Sequence, residues 1–157
     1  MSLPGLKLTP PPDFVVEQTM VSFRAPPPAT GDPRFLNKQT AIRPNLIVHR
    51  REVGLAAPLE ILAGEVTAEL VSSVDGLSGL TSEAFTYADG VHGIIISFDF
   101  GAPEIGTARQ YHALRKDGAV LTTMTLTVDK LTLNDQTKAR WLALFASAVA
   151  DGSGALS

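Results

Sequence analysis

The stretch "RQYHALRKDGAVLTTMTLTVD", residues 109–129, constrains the fold more tightly than any other. Asp117-Gly118 sits between two runs of alternating side chains, and Asp-Gly in that setting is the strongest short-range hairpin signal a sequence carries. A two-residue turn there sets Lys116 opposite Ala119, Leu114 opposite Leu121 and His112 opposite Thr123. Successive residues of a strand point to opposite faces, so His112 shares its face with Gln110, Leu114, Thr123 and Thr125. Tyr111, Ala113, Met124, Leu126 and Val128 take the other face, which is the better candidate for the core.

A lone hairpin is unstable in water and needs further strands and an apolar face to pack on. The chain supplies both. "FVVEQTMVSF", from Phe14, reads as a strand or two short ones, and "PNLIVHRREV" as a strand over 45–52. "LTSEAFTYADG" alternates and turns into "VHGIIISFDFG", in which Ile94, Ile96, Phe98 and Phe100 share one face. Asp99, on the opposite face, reads as a solvated position.

Two segments change period. In "APLEILAGEVTAELVSSVDG" Leu59, Leu62, Val66 and Leu70 recur at three- and four-residue steps, with Glu60, Glu65 and Glu69 off the stripe. Pro58 fits its first turn and Asp75-Gly76 its end. "TLNDQTKARWLALFASAVADG" carries a stripe of Leu142, Phe145 and Val149 that Trp141 and Ala148 widen. Thr132 with Asp135, or Asn134 alone, caps its start, and Gly152 is placed to stop it. Hairpin-linked strands with helices packed on them make the class α+β, with a mainly antiparallel sheet and two main helices. Residues 1–13 read as an irregular Pro-rich lead-in, 14–151 as one domain and 152–157 as a tail. "RAPPPATGDP" opens a Pro-rich surface loop over 25–44.

Composition removes several function classes. Net charge is −3 and the densest basic spot is "HRRE" at 49–52, so no clustered cationic surface is offered to a nucleic acid. There is no cysteine, which excludes disulfides, Cys-ligated zinc and thiol catalysis. The Pro-containing start "MSLPGLKLTPPPDF" lacks the form of a secretory signal, and "VHGIIISF" is too short to span a bilayer. A cytoplasmic protein is therefore expected.

Chemistry is sparse. Histidine catalysis needs a nucleophile and usually an orienting carboxylate, whereas the neighbours of His112 on its own face are threonines and a glutamine. His49, His92 and His112 lie on three strands without metal-ligand spacing. "GLSG" at 76–79 is not a nucleophile elbow. No catalytic, metal or cofactor residue is expected. A small hydrolase or ligand-binding protein using His112 or His92 is the rival reading, and requires one of them to meet a carboxylate.

The ordered pattern itself is informative. "EQTMVSF", "PNLIVHRREV", an amphipathic helix, "GIIISFDF", the "RQYHAL" strand passing through "DG" into "LTLT", and a closing helix resemble the DcrB-related family over about residues 13–150. That resemblance implies a PsbP-like fold, a curved antiparallel sheet with helices packed on it. It also implies a role like that of the Eag chaperones of bacterial type VI secretion, cytoplasmic homodimers that shield the hydrophobic N-terminal helices of membrane-targeting effectors. The partner would be a protein segment, with no nucleic acid and no insertion of this chain into a membrane. The family's lipoprotein branch carries a signal peptide. An adaptor or structural role on the same fold is the nearer alternative. Met20, Val21, Phe23, Leu46, Ile47 and Val48 of the first two strands are the candidate client-binding residues, about half of which can share one face.

Overall fold

The structure, a computed structural model, describes residues 2–3, 6–7, 11–12, 18–24, 42–102 and 106–150. Expectations for Phe14, for most of the loop at 25–44 and for Gly152 lie outside the described residues.

Two short strands, β1 (Ser2–Leu3) and β2 (Leu6–Lys7), pair antiparallel within the segment read as irregular. The remaining strands form one antiparallel sheet: β3 (Gln18–Arg24), β4 (Asn45–Glu52), β5 (Ser78–Thr86), β6 (His92–Ala102), β7 (Gly106–Asp117) and β8 (Val120–Asp129). Their order across the sheet is β3-β4-β8-β7-β6-β5, so β3 and β5 are its edges. Helix α1 (Leu59–Ser73) joins β4 to β5, and α2 (Asp135–Ala146) follows β8 through a short 3₁₀ turn, Lys130–Thr132. The α+β class holds.

The two helices lie on opposite faces. Leu62 and Ala63 of α1 pack with Ile96, Leu114 and Leu121, while Leu59, Val66 and Leu70 flank them. Phe145 of α2 packs with Tyr111, Met124, Leu126 and Val128, with Trp141 and Leu142 alongside. Both faces of the central hairpin are therefore core, not only the Tyr111 face. His112 itself is 7% exposed.

Three local readings are corrected. The hairpin turn is Gly118-Ala119, with Asp117 opposite Val120 and His112 opposite Thr125. Gly118 takes φ +58°, and no non-glycine residue has positive φ among the described residues. A turn on Asp117-Gly118 would need positive φ at the aspartate, whereas a glycine-first turn does not. The slip is two residues, an even number, so each side chain keeps its face. Helix α2 ends at Ala146, leaving Val149 beyond it and about half exposed. Asp99 is buried rather than solvated, because Arg109 and Lys130 neutralise it.

Candidate protein-binding face

The six candidate residues do not gather on one surface. Met20 and Ile47 point to the α1 side of the sheet; Val21, Phe23, Leu46 and Val48 point to the α2 side, as strand alternation requires. Leu46 and Val48 are partly buried against the α2 core. On β3, Met20, Val21 and Phe23 are all about half exposed or more. That is a row of large apolar side chains on a sheet edge, where natural proteins usually place charge or proline.

On the α1 side the strand register defines transverse rungs across β3, β4 and β8. They are Arg24·Asn45·Thr127, Ser22·Ile47·Thr125, Met20·His49·Thr123 and Gln18·Arg51·Leu121. Helix α1 contacts β6 and β7. The threonines of β8 and the β4 residues of these rungs remain half-buried, and the β3 residues are exposed. This is a broad sheet face in which apolar and small hydroxylated side chains mix.

Its floor is tied together by side-chain hydrogen bonds. His112 Nε2 lies 2.7 Å from Gln110 Oε1, and Thr125 Oγ1 lies 3.1 Å from His112 Nδ1. The amide nitrogen of Gln110 donates to Thr127 Oγ1 at 2.9 Å. An amide oxygen only accepts, so Nε2 carries the proton and Nδ1 accepts from Thr125. The ring stacks on Phe98 with centroids 5.8 Å apart. Burial holds its pKa down at about 4, so the ring is neutral. Toward the edge, His49 Nε2 meets Gln18 Oε1 at 3.1 Å, and Ser22 Oγ donates to Asn45 Oδ1 at 3.4 Å. His92 Nδ1 lies 3.5 Å from Thr86 Oγ1. Among these side-chain hydrogen bonds no histidine meets a carboxylate. No group of three or more potential metal ligands occurs among the described residues.

Two charged clusters lie on the α2 side. Arg115, 3% exposed, donates to both oxygens of Asp89, both oxygens of Asp117 and the carbonyl of Ala148. That uses all five of its N–H donors. The guanidinium also lies 5.1 Å from the ring centroid of Tyr87. Its hydrogen bond to Arg115 holds the Asp89 carboxyl down at about 2. A hollow of about 200 Å³ beside this clamp is lined by Arg50, Thr122 and Asp117 among others, but the arginine at its base has no donor left for a ligand. In the second cluster, Arg109 forks onto Asp99, with Nη2 2.9 Å from Oδ2, and Lys130 joins it at 2.7 Å. The hydrogen bond from Arg109 is the first cause of the lowered Asp99 pKa. Both clusters pin turns and the end of α2 to the sheet.

What sequence reasoning missed is that the threonines and glutamine around His112 continue across β4 and β3 as one face. The alternation in "LTTMTLT" carries the signal for Thr123, Thr125 and Thr127. Their alignment with Ser22, Asn45 and Ile47 depends on the β3-β4-β8 order, which one chain's pattern does not specify.

No family model matches the chain, and no curated protein matches it. A crystal structure of a Pseudomonas aeruginosa protein of unknown function, suggested to be a regulator, is similar with a TM-score of 0.68. The match covers 98% of this chain and 96% of that one at 12% identity. Similarity at that identity is a statement about fold alone. No helix among the described residues is long and apolar enough to cross a membrane.

Proposed function

We propose that this chain is a non-enzymatic binding protein, a cytoplasmic chaperone of the DcrB-related kind. It works as a homodimer and shields the hydrophobic N-terminal transmembrane segments of type VI secretion effectors before export. The observation that carries the reading is the α1-side face over β3, β4 and β8, which joins exposed Met20 and half-buried Ile47 to a floor of threonines, Asn45 and Gln110. A transmembrane helix in water needs apolar surface to cover it. Its own helix–helix contacts are made through small and hydroxylated or amide side chains, which this face also presents. The floor groups are already hydrogen-bonded to one another, so the face keeps its shape when empty.

The test is co-expression of the full chain with the apolar N-terminal segment of an effector fused to a soluble carrier. The segment should become soluble and co-purify, and Ile47→Lys should abolish this while lowering the unfolding free energy by no more than about 2 kcal/mol, since a lysine at this half-buried position can run its stem along the sheet and keep its ammonium in water. A segment that stays insoluble beside well-folded protein would refute the reading.

A further inference from the structure

The same face has a charge pattern that specifies what its client should look like. Along β3, β4, β8 and the adjoining positions of β7, the carboxylate that strand alternation places on the α1 side is Asp129, at the end of β8. It is buried and accepts from the Leu131 backbone N–H, so among the described residues these strands expose no carboxylate on this face, although the chain as a whole has net charge −3. Its cations sit at the two ends. Arg24 lies in the rung at one end, where Arg24, Arg43, Asn45 and Thr127 line a hollow of about 320 Å³. Arg51 and Lys116 lie in the rung at the other end. Ion pairs among the described residues use none of these four; the Lys116 ammonium donates to the Leu55 carbonyl. Glu52, the last residue of β4, points to the α2 side, and Glu60, Glu65 and Glu69 are exposed on α1, off its packed stripe.

The end rungs are six residues apart along a strand, about 20 Å. A helix of about 13 residues covers that length, and the long arginine and lysine side chains extend the reach at both ends. Three strands at about 4.8 Å spacing give a width comparable to one helix.

We propose that this face selects apolar helical segments bounded at both ends by acidic residues, whose carboxylates engage Arg24 and Arg43 at one end and Arg51 and Lys116 at the other. The proposal rests on the chaperone reading above and adds the charge code of the client. The argument is charge complementarity: a basic-flanked segment meets like charge at both ends, and like-charge juxtaposition is what suppresses wrong partners.

Two synthetic segments test it. Both carry the same 18-residue leucine–alanine stretch; one is flanked by Asp-Glu pairs, the other by Lys-Lys pairs, each labelled and titrated with the full chain. The acidic version should bind roughly tenfold more tightly at low salt, the order that three or four exposed ion pairs supply together. The advantage should shrink in 0.5 M salt, and Arg24→Glu with Arg43→Glu should reverse it. Equal binding of both segments, or preference for the basic one, overturns the charge code and leaves the chaperone reading standing. Binding of neither segment overturns the reading itself. Displacement of the acidic segment by a short RNA would overturn the proposal in favour of a general polyanion site.

Discussion

His112 takes up a proton less readily in the folded than in the unfolded chain, because burial disfavours its charged form. In water an imidazole titrates near 6.5; here, enclosed between Phe98 and the β8 threonines, it titrates near 4. The folded protein therefore resists a proton that the unfolded chain accepts. Stability should be flat above pH 7, fall as pH drops from about 6.5 to 4, and level off with respect to this group below that. The full loss is about 3 kcal/mol. Asp89 and Asp99, whose pKa values are lowered, contribute stability that is lost only at more acid pH, so the two windows separate. Urea titrations at pH 7 and pH 5 check this, with His112→Gln removing most of the difference between them. An unchanged slope in His112→Gln would show that the imidazole is hydrated after all. At this scale the sequence was only partly legible. The partners of His112 were foreseen as threonines and a glutamine, and the structure agrees. Arg115 drew no attention, since its carboxylates come from the β7 turn and from Asp89, 26 residues earlier. Asp99 was misread because the lysine and arginine that neutralise it lie on other strands and turns.

Elements were easier to read than residues, and for a physical reason. Periodicity is a local property, so β4 at 45–52 and the α1 stripe follow directly from side-chain alternation and helical spacing. Turn register depends on which residue takes positive φ, and Asp117-Gly118 allowed more than one answer. The end of α2 depended on the Arg115 clamp capturing the Ala148 carbonyl beyond the last helical residue, a tertiary event invisible in the stripe. The pairing of β6 with its neighbours offers a sharper test of packing. Gly93 lies in β6 directly beneath the Tyr87 ring; an added Cβ would meet a ring carbon at 2.4 Å and the Leu114 carbonyl oxygen at 2.6 Å. The carbonyl is ladder backbone and cannot swing away. Gly93→Ala should therefore cost about 3 kcal/mol through overpacking, despite alanine's lower conformational entropy in the unfolded chain. Gly64→Ala, in α1 with open space around it, should stabilise by up to about 1 kcal/mol. Opposite shifts in the thermal midpoints of the two variants would support this packing, and a neutral Gly93→Ala would contradict it.

The whole molecule is one sheet shared by two half-cores. α1 covers Ile96, Leu114 and Leu121 from one side, and α2 covers Tyr111, Leu126 and Val128 from the other, so neighbouring residues of the same strands belong to different cores. Composition and element order were enough to predict the class, but not that the helices divide between the faces; that division leaves the β3-β4-β8 part of the α1 face without a helix among the described residues. It also has a consequence for cooperativity. If β7 and β8 lose either cover, their backbone is exposed on behalf of both, so neither half-core should melt alone. The chain has a single tryptophan, Trp141, and it lies in α2 against the Tyr111 side. Its fluorescence therefore reports one half-core while far-UV circular dichroism reports the sheet and both helices. In urea the two signals should trace one transition with one midpoint, and Phe145→Ala should move both together by about 3–5 kcal/mol. A tryptophan transition that precedes the loss of circular dichroism would mean that α2 undocks from an otherwise intact sheet. The α2 face would then have to be counted, with the α1 face, as a surface the protein can open.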